Sequence, residues 1–142
     1  MKSGQEAIDL LIKHHPKAHE AFGDFKSIDH FAVVVSDPKW HVFEEDKCWI
    51  LAQRGTFSGK AWEVHWFCPE GANLKKMRKL LTAVFEATDA IVVFGSVPEG
   101  HPKERAARAV NRALGARKIH DVYVLTRTQH SDYNRRDSKS GA

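Results

Sequence analysis

The chain has 142 residues, 42% of them hydrophobic and 10% aromatic, which is enough for one domain with its own core and too apolar for a disordered polypeptide. No apolar run approaches the ~20 residues of a membrane helix and the start lacks the apolar centre of a signal peptide, so a cytoplasmic protein is expected. A net charge of +4 raises the question of a polyanionic partner without answering it.

In chain order, Ser3 to Phe22 reads as a helix with Ala7, Leu10, Leu11, His14, Ala18 and Phe22 on one side. Pro16 should break it near His15, leaving a short second piece that ends at Gly23. The β-branched run His30 to Val35, stopped by Ser36-Asp37-Pro38, reads as a strand. His41–Glu44 and Cys48–Ala52 flank Glu45-Asp46-Lys47 as a hairpin, and a second hairpin through Gly55 to Gly59 leads into the next strand.

Trp62 to Arg117 is the organising stretch. The strand Ala61–Cys68 ends in Pro69-Glu70-Gly71, and the strand Ala90–Val97 ends in Pro98-Glu99-Gly100-His101-Pro102. Between them Leu74, Met77, Leu80, Leu81, Val84 and Phe85 recur at helical spacing, with Lys75, Lys76, Arg78 and Lys79 on the other face. That is the layout of a parallel strand-helix-strand crossover. A second apolar stripe, Ala106, Ala107, Val110 and Leu114, stops at Gly115 in a C′ position. Val122–Thr126 is the last strand, with room for a short one from Arg117 to His120 before it. Beyond it no apolar period is visible, so residues 1–129 are expected to form a single domain and 130–142 a flexible tail. The fold class is α/β (α+β): a mixed, mostly antiparallel central sheet with a parallel strand-helix-strand core and flanking helices.

Pro69 to Leu81 after an aromatic-rich strand, the helix Arg105–Ala116, and the phrases Trp62-Glu63-Val64-His65 and Val97-Pro98-Glu99-Gly100 resemble the GNAT acyltransferase superfamily, and among its members the small divergent GNAT-like proteins of bacteriophages. The resemblance implies that acetyl-CoA is the acyl donor and an amine the acceptor. The donor's pyrophosphate would sit on backbone N–H groups of the turn after the first parallel strand, and the cofactor would lie between the turns at Gly71–Lys76 and Pro98–Arg105, where the strands splay as their carboxyl ends meet helix amides. The residues so implied are Phe67, Cys68, Gly71, Ala72, Asn73, Lys75 and Lys76 around the first turn, and Val97, His101, Glu104, Arg105 and Arg108 around the second.

The sequence departs from the family in two places. Against the Arg/Gln-x-x-Gly-x-Gly/Ala pattern it has Ala72, Lys75 and Met77, so the loop glycines are missing. The Tyr that precedes the terminal Gly by four residues is Asn111, which can hydrogen-bond a sulfur but not protonate it at neutral pH. The Asn that often opens that helix is replaced by Glu104, with His101 as the alternative if the helix starts earlier.

For the amine proton, Glu63 and His65 alternate with Trp62, Val64 and Trp66 and should share a sheet face as base candidates. The plainer reading, exposed or hydrogen-bonded strand residues, is the favoured one. Cys48 and Cys68 read as reduced packing residues, with a disulfide between them as the lesser alternative. The nine histidines show no metal-ligand spacing, and no nucleophile elbow or P-loop is present. The basic blocks Lys75–Lys79 and Lys103–Lys118 read as solvated faces or as phosphate contacts, with nucleic acid behind both. Two functions follow: an acyl-CoA-dependent N-acyltransferase, or a catalytically silent protein of the same fold serving as a phage structural or assembly factor, or in other protein contacts, in host cytoplasm or virion.

Overall fold

The computed structural model describes residues 1–23, 25–55, 60–96, 104–119 and 122–140. Its elements are β1 (Lys2–Ser3), α1 (Gly4–His14), a 3₁₀ turn (Ala18–Phe22), α2 (Ile28–Val35), β2 (Trp40–Glu45), β3 (Cys48–Arg54), β4 (Ala61–Phe67), α3 (Leu74–Ala87), β5 (Val92–Ser96), α4 (Glu104–Ala113), β6 (Arg117–Ile119), β7 (Val122–Thr126) and α5 (Arg127–Ser140). They build a seven-stranded sheet in the order β1-β2-β3-β4-β5-β7-β6. Every neighbouring pair is antiparallel except β4 and β5.

Alternation along the strands sorts the core into two layers. On one face Val42, Trp49 and Leu51 meet Ala7, Ile8 and Leu11 of α1, Ala18 of the 3₁₀ turn, and Phe31 and Val35 of α2. The Trp49 indole is buried there, its Nε1–H donating to the Ala7 carbonyl at 3.1 Å. On the other face Phe43, Ile50, Ala52, Trp62, Val64, Val93 and Leu125 meet Met77, Leu80, Leu81, Val84 and Phe85 of α3 and Leu114. Burying a side chain of this size stabilises by about 1.5–3 kcal/mol, so the α3 stripe is a principal anchor of its layer.

Several local expectations hold. α1 stops at His14, and the short piece after Pro16 ends at Gly23 with φ +95°. The β2–β3 hairpin turns at Asp46 and Lys47, both at positive φ (45° and 65°), the backbone of a type I′ turn. β3 and β4 pair from Trp49↔Phe67 to Arg54↔Trp62, although positions 56–59 of that hairpin lie outside the described residues. The β4-α3-β5 crossover is parallel through Ala61↔Val92, Trp62↔Val93 and Glu63↔Phe94.

Three expectations need correcting. Phe31 to Val35 is helical, not a strand: Ser27 caps α2 by accepting the His30 N–H at 3.1 Å. Phe31 and Val35, four apart, enter the core while Val33 is 74% exposed, so helical periodicity overrides β-branched propensity. Ser3, read as the start of the first helix, belongs instead to the two-residue strand Lys2–Ser3, paired with Phe43 and Glu44.

The stretch read as a loose tail is helical through Ser140, and it docks by polar groups that an apolar count misses. Arg127 donates to the carbonyls of Thr88 (3.3 Å) and Ala90 (2.7 and 3.0 Å) and lies over the Phe85 ring. His130, 4% exposed, is 2.8 Å from the Thr82 hydroxyl and 3.2 Å from Asn134 Nδ2. Tyr133 lies on Gly115, where an added Cβ would stand 2.7 Å from the ring. Gly115 itself, at φ +90°, closes α4 as expected: its N–H reaches the Arg112 carbonyl and that of Ala116 the Asn111 carbonyl, both at 3.0 Å. This is a Schellman closure.

Gly115→Ala should therefore cost roughly 1–3 kcal/mol in urea unfolding, because a strained φ and the Tyr133 contact act together. Burial, and then the Arg78 charge, hold the His130 imidazole below its ordinary pKa. The unfolded chain thus binds more protons than the folded one below pH ~6.5, and stability present above that pH is lost as it falls. The denaturation midpoint should drop between pH 7.5 and 5.5, and His130→Gln should flatten that drop.

Candidate functional site

The β4–β5 ladder ends at Glu63↔Phe94, yet β4 runs on to Phe67 and stays paired with β3 throughout. Past Glu63 the β4 edge facing β5 has no ladder partner among the described residues. Gly95 lets β5 pass close by, since a Cβ there would stand 3.1 Å from the Val64 carbonyl. The two helices that follow these parallel strands begin at Leu74 and Glu104, and the described chain leads directly from the end of β4 into the N-terminus of α3.

The first turn is built tightly. Gly71 sits at φ +100°, and its N–H bonds to the Cys68 carbonyl at 3.0 Å. Asn73 caps α3, its Oδ1 accepting the Lys76 N–H at 3.1 Å. The backbone N–H groups of Ala72, Asn73, Leu74 and Lys75 have no partner among the described residues. Lys75 is exposed. Lys76 instead turns to the β2–β3 hairpin, meeting the Asp46 carboxylate at 3.1 Å and its carbonyl at 3.0 Å. The bond to Asp46 holds the ammonium above its ordinary pKa. Met77 is buried against the sheet and cannot play the part of a loop glycine.

At the second turn Val97 and His101 lie outside the described residues. Glu104 opens α4, and Arg105 and Arg108 are exposed along it. Asn111 donates from Nδ2 to the Ala107 carbonyl of its own helix at 2.8 Å. α4 is tied to α3 by Arg78, which donates to the Ala113 carbonyl at 3.3 Å.

Alternation along β4 separates the remaining residues. Glu63, His65 and Phe67 face the α1/α2 layer; Trp62, Val64, Trp66 and Cys68 face α3. Glu63 and His65 touch, with Oε1 3.4 Å from Nε2. Gln53 on β3, directly opposite Glu63, donates to its Oε2 at 3.2 Å. The His65 ring meets Trp40 at 5.9 Å and Phe22 at 6.4 Å between centroids. Burial lowers its pKa, and the Glu63 charge works against that shift, so the ring is neutral near pH 7. Phe67 packs against His15 and Phe22, and an open cleft of about 440 Å³ lies beside it, lined by His14, His15, Pro16, Lys17 and Ala18.

Gln53, Trp40, Phe22 and His15 were not among the candidates from sequence. Alternation along Cys48–Ala52, extended one residue, places Gln53 on the Glu63 face and would have found it. The aromatic rings come from the helical layer and depend on tertiary packing. Among the described residues no cluster of histidine, cysteine, aspartate or glutamate could hold a metal ion, and no helix is long and apolar enough to cross a membrane.

A mixed sheet with one parallel pair and helices on both faces is a fold this chain shares with acetyltransferases of known structure. Among solved structures, the chain is similar to aminoglycoside acetyltransferase AAC(6')-Ib in complex with coenzyme A and kanamycin, with a TM-score of 0.64 at 9% identity, covering 91% of this chain and 94% of that one. The same enzyme with coenzyme A alone gives 0.58 at 12% identity, again covering 91% and 94%. An uncharacterised protein from Bacillus halodurans gives 0.61 at 10% identity, covering 96% and 86%. At these identities the likeness is one of fold. No protein-family model matches the sequence, and no curated protein matches it.

Because the Glu63 charge holds the His65 pKa up against burial, Glu63→Gln should lower it further. An NMR titration of the His65 ring would detect the change, and an unchanged or higher value would contradict the contact.

Proposed function

We propose that the chain is an N-acyltransferase that takes an acyl group from acyl-CoA, acetyl-CoA being the simplest donor, to an amine. The observation that carries this is the early end of the β4–β5 ladder beside the free N–H groups at the start of α3. Those residues suit a phosphate-bearing donor through backbone donors and the helix dipole. Lys75, Arg105 and Arg108 add positive charge at the two helix starts. Missing glycines at Lys75 and Met77 narrow the approach to the turn without removing its N–H groups. The donor, when bound, supplies an activated thioester carbonyl.

His65, neutral and partly shielded, is the group suited to take a proton given up by the attacking amine at Nδ1, with Nε2–H turned to the Glu63 carboxylate. Glu63 orients the ring and stabilises its charged form, and Gln53 fixes Glu63 in turn. Phe67, Phe22 and Trp40 shield this face of β4 from water. The cleft at His15 and Phe67 lies on the same face and offers an entry for the acceptor. Its lining residues include Lys17 and no carboxylate, which favours an amine on an apolar or anionic body over a polycation.

A second reading, a catalytically silent protein of this fold acting through protein contacts, is favoured by one observation. Asn111 stands where an acid would serve the leaving thiolate, and its amide is engaged with the Ala107 carbonyl.

Acetyl-CoA at a hundred times its Kd should stabilise the protein by about 2.7 kcal/mol, read as a rise in Tm. In the presence of an accepted amine, His65→Gln and Glu63→Gln should each slow release of free coenzyme A thiol by about 10²-fold. A Tm unmoved at millimolar acetyl-CoA would overturn the enzyme reading. A Tm rise with no thiol release across amines of every class would leave the silent protein.

A further inference from the structure

The opposite side of the first turn carries chemistry that acyl transfer does not use. Cys48 opens β3 and Cys68 follows β4, and the antiparallel ladder that pairs Trp49 with Phe67 sets the two cysteines opposite each other one step further along. Both face α3: Cys48 belongs to the cluster of Ile50, Ala52 and Met77, and Cys68 packs against it. Neither is in a disulfide; Cys48 is buried and Cys68 half-buried. The two thiols are close enough to act on each other's ionisation. The Cys68 thiol, and then the Lys76 ammonium, draw the Cys48 thiol below its ordinary range against the opposing effect of burial. The Cys48 thiol, and then burial, push Cys68 up. The pair therefore gives up its first proton from Cys48 and keeps the second on the neighbouring sulfur.

Two apolar side chains would fill this place as well, and a free thiol in a packed layer gains nothing from a charged lysine. Lys76 is held there from both sides by Asp46. The hairpin tip is bound to the same turn by a second ion pair, Lys47 to Glu70 at 3.4 Å, so the two sulfurs approach each other between segments already fastened together. Antiparallel neighbours on one face place their Cβ atoms about 4.5–5.5 Å apart, and a disulfide needs about 3.5–4.5 Å. Little movement is required.

We propose that Cys48 and Cys68 are an oxidation site, at which a peroxide converts the pair into an intramolecular disulfide fastening the start of β3 to the turn that leads into α3. The Cys48 sulfur attacks a peroxide oxygen, the O–O bond breaks, and one water leaves, giving a sulfenic acid on Cys48. The Cys68 sulfur then displaces the hydroxyl, which departs with the Cys68 proton as a second water. Two electrons pass from the thiols to the peroxide, and a dithiol reductant reverses the change. The crosslink closes the chain from Cys48 to Cys68 and immobilises the Cys68 carbonyl on which Gly71 turns. The site exists whether or not the neighbouring turn binds a donor.

The test treats the full chain with a small molar excess of hydrogen peroxide and reads the intact mass and a non-reducing peptide map. The expected result is a monomer lighter by two hydrogens, a peptide joining Cys48 to Cys68, resistance of both sulfurs to alkylation in denaturant, and a higher Tm that dithiothreitol returns to its starting value. Cys68→Ser should block the mass loss and let Cys48 take up oxygen instead. Thiols that remain fully alkylatable, sulfonic acids without a crosslink, or disulfides only between chains would each overturn the proposal. The wild-type result decides the matter even if the variant folds poorly.

Discussion

The parallel ladder between β4 and β5 lasts three residue pairs and stops, and the proposed donor site depends on that early end. Backbone N–H and C=O groups in a sheet seek partners, so two strands side by side normally keep pairing until one of them ends. Here β4 continues for four residues with β3 as its ladder partner among the described residues, while β5 pairs with β7 on its other side. Each strand is thus anchored by an antiparallel neighbour strong enough to let the parallel contact go. The ladder stops towards the strand end from which α3 departs, the end at which the helix N-terminus presents its unpaired N–H groups.

β4 also divides labour between its two faces. Glu63, His65 and Phe67 look towards α1 and α2, where titratable groups meet aromatic rings, while Val64, Trp66 and Cys68 look towards α3 and its aliphatic stripe. A slip of one residue in the β3–β4 register would exchange these sets and bury Glu63 under α3. The hydrogen bond from Gln53 to Glu63 and the buried Trp49 indole on Ala7 oppose such a slip. The Glu63–His65 contact and the facing of Cys48 and Cys68 are therefore fixed by one register, on opposite sides of the sheet.

Much of this was legible from residue spacing. The strand alternation from Ala61, the heptad-like stripe from Leu74 to Phe85, the break at Pro16 and the glycine closure at Gly115 are local signals, and each appears in the fold. What misled was context. Val33, Val34 and Val35 carry strand propensity, yet a Ser27 cap and the spacing of Phe31 and Val35 place them in a helix. α5 has no apolar period because its inward side is Arg127, His130, Tyr133 and Asn134, whose attachments are hydrogen bonds and a ring on a glycine. Lys76 looked like a phosphate ligand, and only the hairpin geometry shows it committed to Asp46. The contact between Cys48 and Cys68 likewise follows from register, which spacing along a chain does not state.

One topological detail bears on how the molecule comes into being. β7, made after β6, lies between β6 and β5, so an internal place in the sheet is filled by a strand synthesised late. While the nascent chain leaves the ribosome, the outer edge of β5 stays bare until Thr126 has emerged, and Arg127 can then seal the carbonyls at the head of that strand. A bare edge of Val92, Val93 and Phe94 invites pairing with other chains. The growing polypeptide thus passes through an interval in which that edge is open to other chains before the sheet closes over it.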